Sequence, residues 1–312
     1  MKIRFNNPFA IEGNWYKGNL HTHTTNSDGS LSPINTVKQY KSAGYQFLAI
    51  TDHCKLTKVE DDQGVLLING EELHCGTTQA NSCFHIVALN IKEQISYAGE
   101  QIVAFKKKWQ DVDPQQIIDL IEFQGGEAIL AHPYWSALTT NDIFSCFGYI
   151  GTEVFNTSCF HRWDKGYSMV YWDNLLSAKK NIFGFASDDA HNHSNDHCPN
   201  DACGAWIMVK SKNLDVNSIM NSIKQGLFYA SWGPEIKNVK IEKDTIYVIT
   251  SPVQSISFIG MNGTGEMFTA LKKDSYSQVE YKIRGGEKYI RIQCMDLQGK
   301  MAWTNAIFLE KE

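Results

Sequence analysis

The sequence predicts an α/β fold over its first two thirds, followed by a small antiparallel β domain. Up to residue 234, apolar runs of strand length alternate with stretches of helical periodicity, a pattern that favours a parallel sheet. From residue 235 onward, short alternating runs are separated by turn residues, which is typical of a β-sandwich. We therefore expect two domains, residues 1–234 and 235–312.

The first strand–helix–strand unit sets this pattern. Residues 15–21 form a short extended run. Ser32-Pro33 predicts a helix start, because a hydroxyl N-cap is followed by proline at the first helical position. Gly44 predicts the end of that helix. The buried strand at 47–50 then follows directly.

Later elements repeat the unit and lead into the β region. Asp113-Pro114 predicts the start of a second helix, and Gly125-Gly126 predicts its end. The further predicted helices cover residues 171–179 and 215–225. The further predicted strands cover residues 128–131, 149–155, 182–186, 239–241, 246–249, 256–259, 279–283, 289–294 and 306–309.

Polar side chains follow the predicted strands at the point where each strand ends. They are His21, His23, Asp52, His53, His132, Asp188, Asp189 and His191, with Glu71, Glu72 and His85 beside other apolar runs. This edge of a β/α barrel or of a doubly wound sheet carries the active site. A single histidine at a strand end is more often structural, Glu71 or Glu72 can simply be solvated, and Asp188 can cap a turn. The repetition favours a functional site.

The residue types indicate a multinuclear metal site. Alternate residues on a strand point the same way, so His21 and His23 can face one ion, and Asp28 lies in a turn-like stretch that can fold back toward them. Buried carboxylates and imidazoles are costly together without cations. Mixed nitrogen and oxygen ligands suit Zn, Mn or Fe better than Ca, and there are more of them than one tetrahedral ion needs.

These motifs, in their order along the chain, resemble those of a known family. The set is His21-x-His23, Asp28-Gly29, Thr51-Asp52-His53, Gly70-x-Glu72, His85, His132-Pro133 and Asp189-x-His191. It resembles the PHP (polymerase and histidinol phosphatase) family of metallohydrolases over roughly residues 15–210. Residues 226–231 and the β tail resemble the CehA/McbA-type branch of that family.

The resemblance implies a distorted (β/α)7 barrel that binds two to three divalent metal ions (Zn, Mn or Fe). It implies that one ion is ligated by His21, His23 and Asp189, that Glu72 bridges it to a second held by His85 and His132, and that a third is held by Asp28, His53 and His191. Glu71 competes with Glu72, which matches the G-x-E pattern of the family. The Asp188-Asp189 pair leaves open which aspartate binds metal.

The resemblance also implies a reaction: hydrolysis of a phosphoester bond in a small anionic molecule, by attack of a metal-bridged hydroxide. Hydrolysis of an amide, ester or carbamate on the same site is the alternative. Asp52, Arg162 and His193 are the catalytic candidates, with Arg162 or Lys165 available to bind the anionic group and His161 or His193 available for proton transfer. Each of these last four can equally be a plain surface residue.

Composition narrows the other possibilities. A net charge of −5 and a pI near 6.1 argue against a basic nucleic-acid surface, so we do not expect a nucleic-acid partner. The sequence shows neither a signal peptide nor an apolar stretch long enough for a bilayer, which predicts a cytoplasmic protein without a membrane partner. The eight scattered cysteines fit a reducing compartment, although Cys198 and Cys203 near His197 are a conceivable zinc site.

Overall fold

The computed structural model describes residues 2–95, 97–271 and 274–310. The α-helices are α1 (Pro33–Ser42), α2 (Pro114–Phe123), α3 (Thr140–Ser145), α4 (Thr157–Trp163), α5 (Met169–Ser177) and α6 (Val216–Lys224). Two short 3-10 helices cover Val103–Phe105 and Trp109–Asp111.

The strands divide between the two regions that the sequence predicts. Those before residue 235 are β1 (Lys2–Arg4), β2 (Asn14–Asn19), β3 (Phe47–Ile50), β4 (Leu66–Cys75), β5 (Phe84–Leu89), β6 (Tyr97–Ala98), β7 (Gln101–Ile102), β8 (Lys107–Lys108), β9 (Glu127–Leu130), β10 (Gly151–Asn156), β11 (Phe183–Ser187), β12 (Trp206–Ser211) and β13 (Phe228–Ser231). Those after it are β14 (Ile236–Glu242), β15 (Thr245–Val253), β16 (Ser255–Ile259), β17 (Gly265–Thr269), β18 (Tyr276–Lys282), β19 (Tyr289–Met295), β20 (Met301–Thr304) and β21 (Ile307–Glu310).

One large mixed sheet organises the first region, with the strand order β13-β12-β2-β3-β4-β5-β9-β10-β11. Strands β2, β3 and β4 are parallel, as are β9, β10 and β11. The expectation of a parallel sheet is wrong at β5, which is antiparallel to both neighbours, and at β12, which is antiparallel to β2. The cause at β5 is the short link over residues 76–83, which reverses the chain without the helical crossover that a parallel pair needs.

Side-chain caps mark the starts of α2 and α4, whereas Ser32 at the start of α1 makes no capping hydrogen bond with its side chain. The predicted helices at α1, α2, α5 and α6 are confirmed within a few residues. The Asp113 carboxylate accepts a hydrogen bond from the Gln115 amide, 2.9 Å away, and so caps α2. Helix α4 was not predicted, because its seven residues show no helical periodicity; it is capped by Asn156, whose side chain accepts from the Cys159 amide at 2.8 Å.

The C-terminal region is antiparallel, as predicted, and is continuous with the large sheet. Strands β14, β15 and β18 form one sheet, while β16 pairs with both β17 and β19, and apolar side chains of the two groups share one cluster. Strand β20 pairs with β13, and Trp303 belongs to the same apolar cluster as Phe47 and Phe155. Arg291 forms a bidentate ion pair with Asp173 of α5, with both N–O distances 2.7 Å. The predicted boundary at residue 234 thus separates segments that share a sheet and a core.

Hydrogen bonds also join the segments that follow β2 and β11. The Asp189 amide donates to the His21 carbonyl at 2.9 Å, and the His23 amide donates to the Ala190 carbonyl at 2.8 Å. This contact brings the ends of two strands that are distant in sheet order side by side. Among the described residues, no helix is long and apolar enough to cross a membrane.

Candidate metal centre

Four donor atoms meet at the join between β2 and β11. His21 Nε2 and His23 Nε2 lie 3.2 Å apart. Each lies 3.2 Å from Glu72 Oε2, and they lie 3.2 and 3.0 Å from Asp189 Oδ1. All four residues are buried. A tetrahedral ion bound at about 2.0–2.1 Å has ligand atoms about 3.3 Å apart, so these donors fit one such ion.

Glu72 links this group to a second one. Its other oxygen, Oε1, lies 2.8 Å from His85 Nδ1 and 3.1 Å from His132 Nε2. Because side chains alternate along β4, Glu71 points to the opposite face, where it accepts from the Ile95 amide at 2.8 Å. The structure therefore brings Glu72, and not Glu71, into the cluster.

A third group lies toward the solvent. Asp28 Oδ2 is 3.3 Å from His191 Nε2 and 3.7 Å from His53 Nε2, and Asp28 Oδ1 is 3.7 Å from His23 Nδ1. The other ring nitrogen of His53 lies 3.1 Å from Glu72 Oε2. His23 and His53 thus stand between the buried groups and Asp28, whose side chain is 53% exposed. All of the predicted metal ligands lie around this one centre, and we refer to them together as the histidine cluster.

Asp188 and Asp189 face in opposite directions. Asp189 turns into the histidine cluster and has a positive φ of 52°, a strained backbone of the kind found at functional sites. Asp188 turns away and accepts hydrogen bonds from neutral donors. They are the Tyr40 hydroxyl, the Thr157 hydroxyl and the amides of Cys203, Gly204 and Ala205. Of the pair, only Asp189 can contribute to a metal site.

Charge is balanced within the histidine cluster by the imidazoles. Burial alone would raise the pKa of Glu72, but the facing imidazoles, chiefly His21 and His53, hold that pKa well below its usual value. Burial alone would lower the pKa of His23, yet its contacts with Asp189 and Glu72 raise that pKa to about 9. Burial lowers the pKa of His53 to about 4. The carboxylates require positive charge at this point, and either a protonated imidazole or a divalent cation supplies it.

Glu153 supports the histidine cluster from behind, and the sequence analysis missed this role. Its Oε1 lies 2.7 Å from His21 Nδ1, and its Oε2 accepts from the His132 amide and from Asn156 Nδ2, both at 2.8 Å. The Ser187 hydroxyl also donates to it. A carboxylate that accepts from Nδ1 leaves Nε2 free to bind metal. The available signal was an acid inside the fully buried strand β10.

Two other imidazoles are oriented in the same way. His132 Nδ1 lies 3.0 Å from the Ser136 hydroxyl, and His191 Nδ1 lies 2.8 Å from the Asp189 carbonyl oxygen. Both contacts leave Nε2 directed at the cluster.

Asp52 lies beside the histidine cluster, with its carboxylate held by local hydrogen-bond donors. The carboxylate is buried and accepts from the Thr24 amide, the Thr24 hydroxyl and the Ser27 hydroxyl, each at 2.7 Å, and also from the Thr57 hydroxyl. Two hydrogen bonds on each oxygen fill its acceptor sites. Asp52 therefore fixes the loop that carries Asp28, and its part in the reaction stays a prediction of the sequence.

A cleft of about 190 Å³ opens over the histidine cluster. Arg162 and His193 lie on its wall, and Arg162 Nη2 donates to the His193 carbonyl oxygen at 3.4 Å. The remaining wall contains Ser158, Cys159, Trp135 and Trp163.

The other candidates from the sequence, Lys165 and His161, lie outside this wall, as do His74 and His197, which we expect to be structural or exposed. Lys165 places its ammonium 5.5 Å from the ring centroid of Tyr134, and the ring of His161 packs on Phe160. His74 Nδ1 lies 3.6 Å from Cys54 Sγ, and His197 is exposed. In the part of the chain that the structure describes, no group of potential metal ligands includes Cys198 or Cys203.

Sequence comparisons with known proteins give matches over part of the chain. No family model matches the sequence. An uncharacterized protein of Methanocaldococcus jannaschii is 29% identical over 164 residues, which cover 47% of this chain and 84% of that protein. A 5'-3' exoribonuclease of Haemophilus influenzae is 35% identical over 80 residues, but these cover only 24% of this chain and 28% of the enzyme.

A solved structure extends the similarity to nearly the whole chain. It is a two-domain protein from Bacteroides vulgatus, described as containing a predicted PHP-like metal-dependent phosphoesterase. It matches with a TM-score of 0.51 and 14% identity, covering 94% of this chain and 95% of that chain. At this level of identity, the likeness concerns the fold.

Proposed function

We propose that this chain is a PHP-type metallohydrolase that hydrolyses phosphoester bonds in a small anionic molecule, with its active site at the histidine cluster. The observation that carries the proposal is the position of Glu72. Both of its oxygens lie within 3.2 Å of imidazole nitrogens that come from separate segments of the chain. The ordered motifs and the fold similarity support the same family.

The proposal includes the finer architecture that the resemblance implies. Residues 1–234 would form a distorted (β/α)7 barrel of the CehA/McbA-type branch, and residues 235–312 would form a small β domain that shares a sheet with it. We also propose a cytoplasmic location.

Two to three divalent ions of Zn, Mn or Fe would occupy the site. His21, His23 and Asp189 would hold the first ion, and Glu72 would bridge it to the second. The second would also be held by His85 and His132, and the third by Asp28, His53 and His191. When bound, such ions polarise phosphoryl oxygens and lower the pKa of water toward about 7.

The residues around the ligands have separate roles in this proposal. Glu153 keeps His21 in the tautomer whose Nε2 faces the ions. Arg162 lies on the cleft wall and would bind the anionic group of the substrate through its planar guanidinium. His193 is exposed beside it and would transfer a proton to the leaving group.

The test replaces each of two adjacent glutamates. Glu72→Gln removes the charge at the centre of the cluster, whereas Glu71→Gln changes an equally buried residue on the other face of β4. We expect Glu72→Gln to lose bound metal in elemental analysis, together with hydrolysis of p-nitrophenyl phosphate, and Glu71→Gln to retain the metal. Wild-type metal content and activity in Glu72→Gln would refute the proposed site.

A substrate panel tests the bond that is cleaved. The metal-loaded protein is assayed with p-nitrophenyl phosphate, a nucleoside monophosphate and an aryl carbamate. The proposal expects both phosphate esters to be hydrolysed and the carbamate to be left intact. If only the carbamate were hydrolysed, the proposed metal site would stand, but the proposed phosphoesterase activity would be wrong.

A further inference from the structure

Two tryptophans form one side of the cleft above the histidine cluster. Trp135 follows His132 by three residues, and Trp163 is the last residue of α4. Their ring centroids lie 5.7 Å apart, and their planes are inclined by 56°. Both line the cleft together with His85 and His132.

Trp135 lies directly against the imidazoles of the second ligand group. Its ring meets His85 at 5.6 Å and His132 at 5.0 Å, in both cases edge to face. Both imidazoles also approach Glu72 Oε1. A molecule that rests on this aromatic side therefore lies next to the proposed reaction centre.

Trp163 leaves a large apolar surface uncovered beside a cation. It is 49% exposed, and the guanidinium carbon of Arg162 lies 5.7 Å from its ring centroid. Single exposed aromatic side chains are normal on protein surfaces, and Phe123, which is 87% exposed, is one that does not line the cleft. Trp163 differs because it shares the cleft with Arg162 and with the cluster.

The cleft volume limits how a substrate can be placed. About 190 Å³ is small beside the roughly 300–1,000 Å³ of sites that enclose a whole ligand. An anionic head group near the ions and Arg162 would occupy most of it. The rest of the substrate would then extend across the mouth, along the two indoles.

We infer that Trp135 and Trp163 form a stacking surface for a flat aromatic ring carried by the group that is ester-linked to the phosphate. This inference rests on the proposed function, because it assumes that the anionic head lies at the metal site. A flat ring gains from stacking on indole beyond its apolar area, whereas an alkyl ring of similar size gains only the area. Simple aryl groups and nucleobases share this chemistry.

The test is binding of phosphonates, which carry the anionic head but have no bond for the protein to hydrolyse. Isothermal titration of the metal-loaded chain compares phenylphosphonate with cyclohexylphosphonate, and inorganic phosphate reports the head-group site alone. We expect phenylphosphonate to bind about three- to tenfold more tightly than cyclohexylphosphonate. A 5'-deoxynucleoside 5'-phosphonate, whose phosphorus is bonded directly to carbon, takes the place of phenylphosphonate to tell whether a nucleobase is preferred to a simple aryl ring.

Variants identify the surface. Trp163→Ala should remove the preference for the flat ring without changing the affinity for inorganic phosphate, and Trp163→Phe should keep most of it. Phe123→Ala, an exposed aromatic residue away from the cleft, should have no effect. Equal affinities of the two phosphonates in the wild-type chain, or a preference that persists in Trp163→Ala, would overturn the inference, as would the absence of any phosphonate binding.

Failure of the stacking surface can be told apart from failure of the proposed function. Loss of the ring preference with hydrolysis of phosphate esters intact rejects only the stacking surface. If the chain still binds phenylphosphonate more tightly than cyclohexylphosphonate but hydrolyses no phosphate ester, the proposed phosphoesterase activity is wrong and the stacking surface is supported.

Discussion

The histidine cluster and the surroundings of two other acids, Asp52 and Asp188, both bury carboxylates, but they stabilise them in different ways. We call the surroundings of Asp52 and of Asp188 together the hydroxyl network, because threonine, serine and tyrosine hydroxyls and backbone amides donate to both acids. In the histidine cluster, imidazoles surround Glu72 and Asp189. Neutral donors fixed by the fold fill the acceptor sites of a carboxylate with hydrogen bonds. Imidazole lone pairs and carboxylates that face one another instead form a site that can bind an exchangeable cation. The comparison separates acids that hold the fold from acids that hold a ligand.

The largest expected effect is that of metal removal. A cation that binds only the folded chain stabilises the fold by about 4 kcal/mol when its concentration is about a thousandfold above its Kd. This stabilisation raises Tm by on the order of 10 °C. Thermal unfolding with and without a chelator measures this shift. The Asp189→Ala variant lacks a ligand of the first proposed ion, so its chelator shift should be smaller than that of the wild-type chain. A chelator shift of full size in Asp189→Ala would argue against the proposed role of Asp189 as a ligand.

Substitution of Asp188 comes next and should act on the fold alone. In Asp188→Asn, one carboxylate oxygen is replaced by an NH2 group, so the donors that face this oxygen lose their acceptor in a buried site. We expect a loss of about 3 kcal/mol in the free energy of unfolding, measured in urea. The folded fraction of Asp188→Asn should still bind metal. A folded Asp188→Asn protein that binds no metal would show that Asp188 supports metal binding as well as the fold.

A smaller effect is expected at Glu153, which contacts the histidine cluster but binds no metal in the proposal. Glu153→Gln weakens the hydrogen bond that orients His21, so metal affinity should fall by about 10- to 100-fold. A competition titration with a chromophoric chelator measures the change. Unchanged affinity would mean that Glu153 only fills space behind β2.

The smallest effect is expected at Tyr40, whose hydroxyl donates to Asp188 at 2.7 Å. Tyr40→Phe removes one of several donors and should cost about 1 kcal/mol of stability. Metal content, measured on the same preparation, should not change. A loss of metal in Tyr40→Phe would show that the two regions are coupled.

Much of the site could be predicted because its residues follow strands. His21 and His132 stand directly after recognisable apolar runs, and the ends of neighbouring strands meet. The choice between Asp188 and Asp189 could not be predicted from local sequence. It depends on amides at residues 203–205, which reach Asp188 only through the tertiary fold.

Other features left weak signals or none. Glu153 belongs to no motif, and its partners are distant in sequence. The reversed direction of β5 depends on a link too short for a crossover. The stacking surface could not be predicted, because Trp163 reaches Trp135 only through α4, a helix of seven residues without periodicity.

The exposure of Asp28 has a consequence for any count of bound ions. A carboxylate that is 53% exposed competes with water and salt for its cation, whereas the ligands around Glu72 are shielded from both. The outer position would therefore empty first when metal is scarce. For the proposed site of three ions, stoichiometry would then follow the history of the sample, with two ions after dilution or dialysis and three when free metal is plentiful.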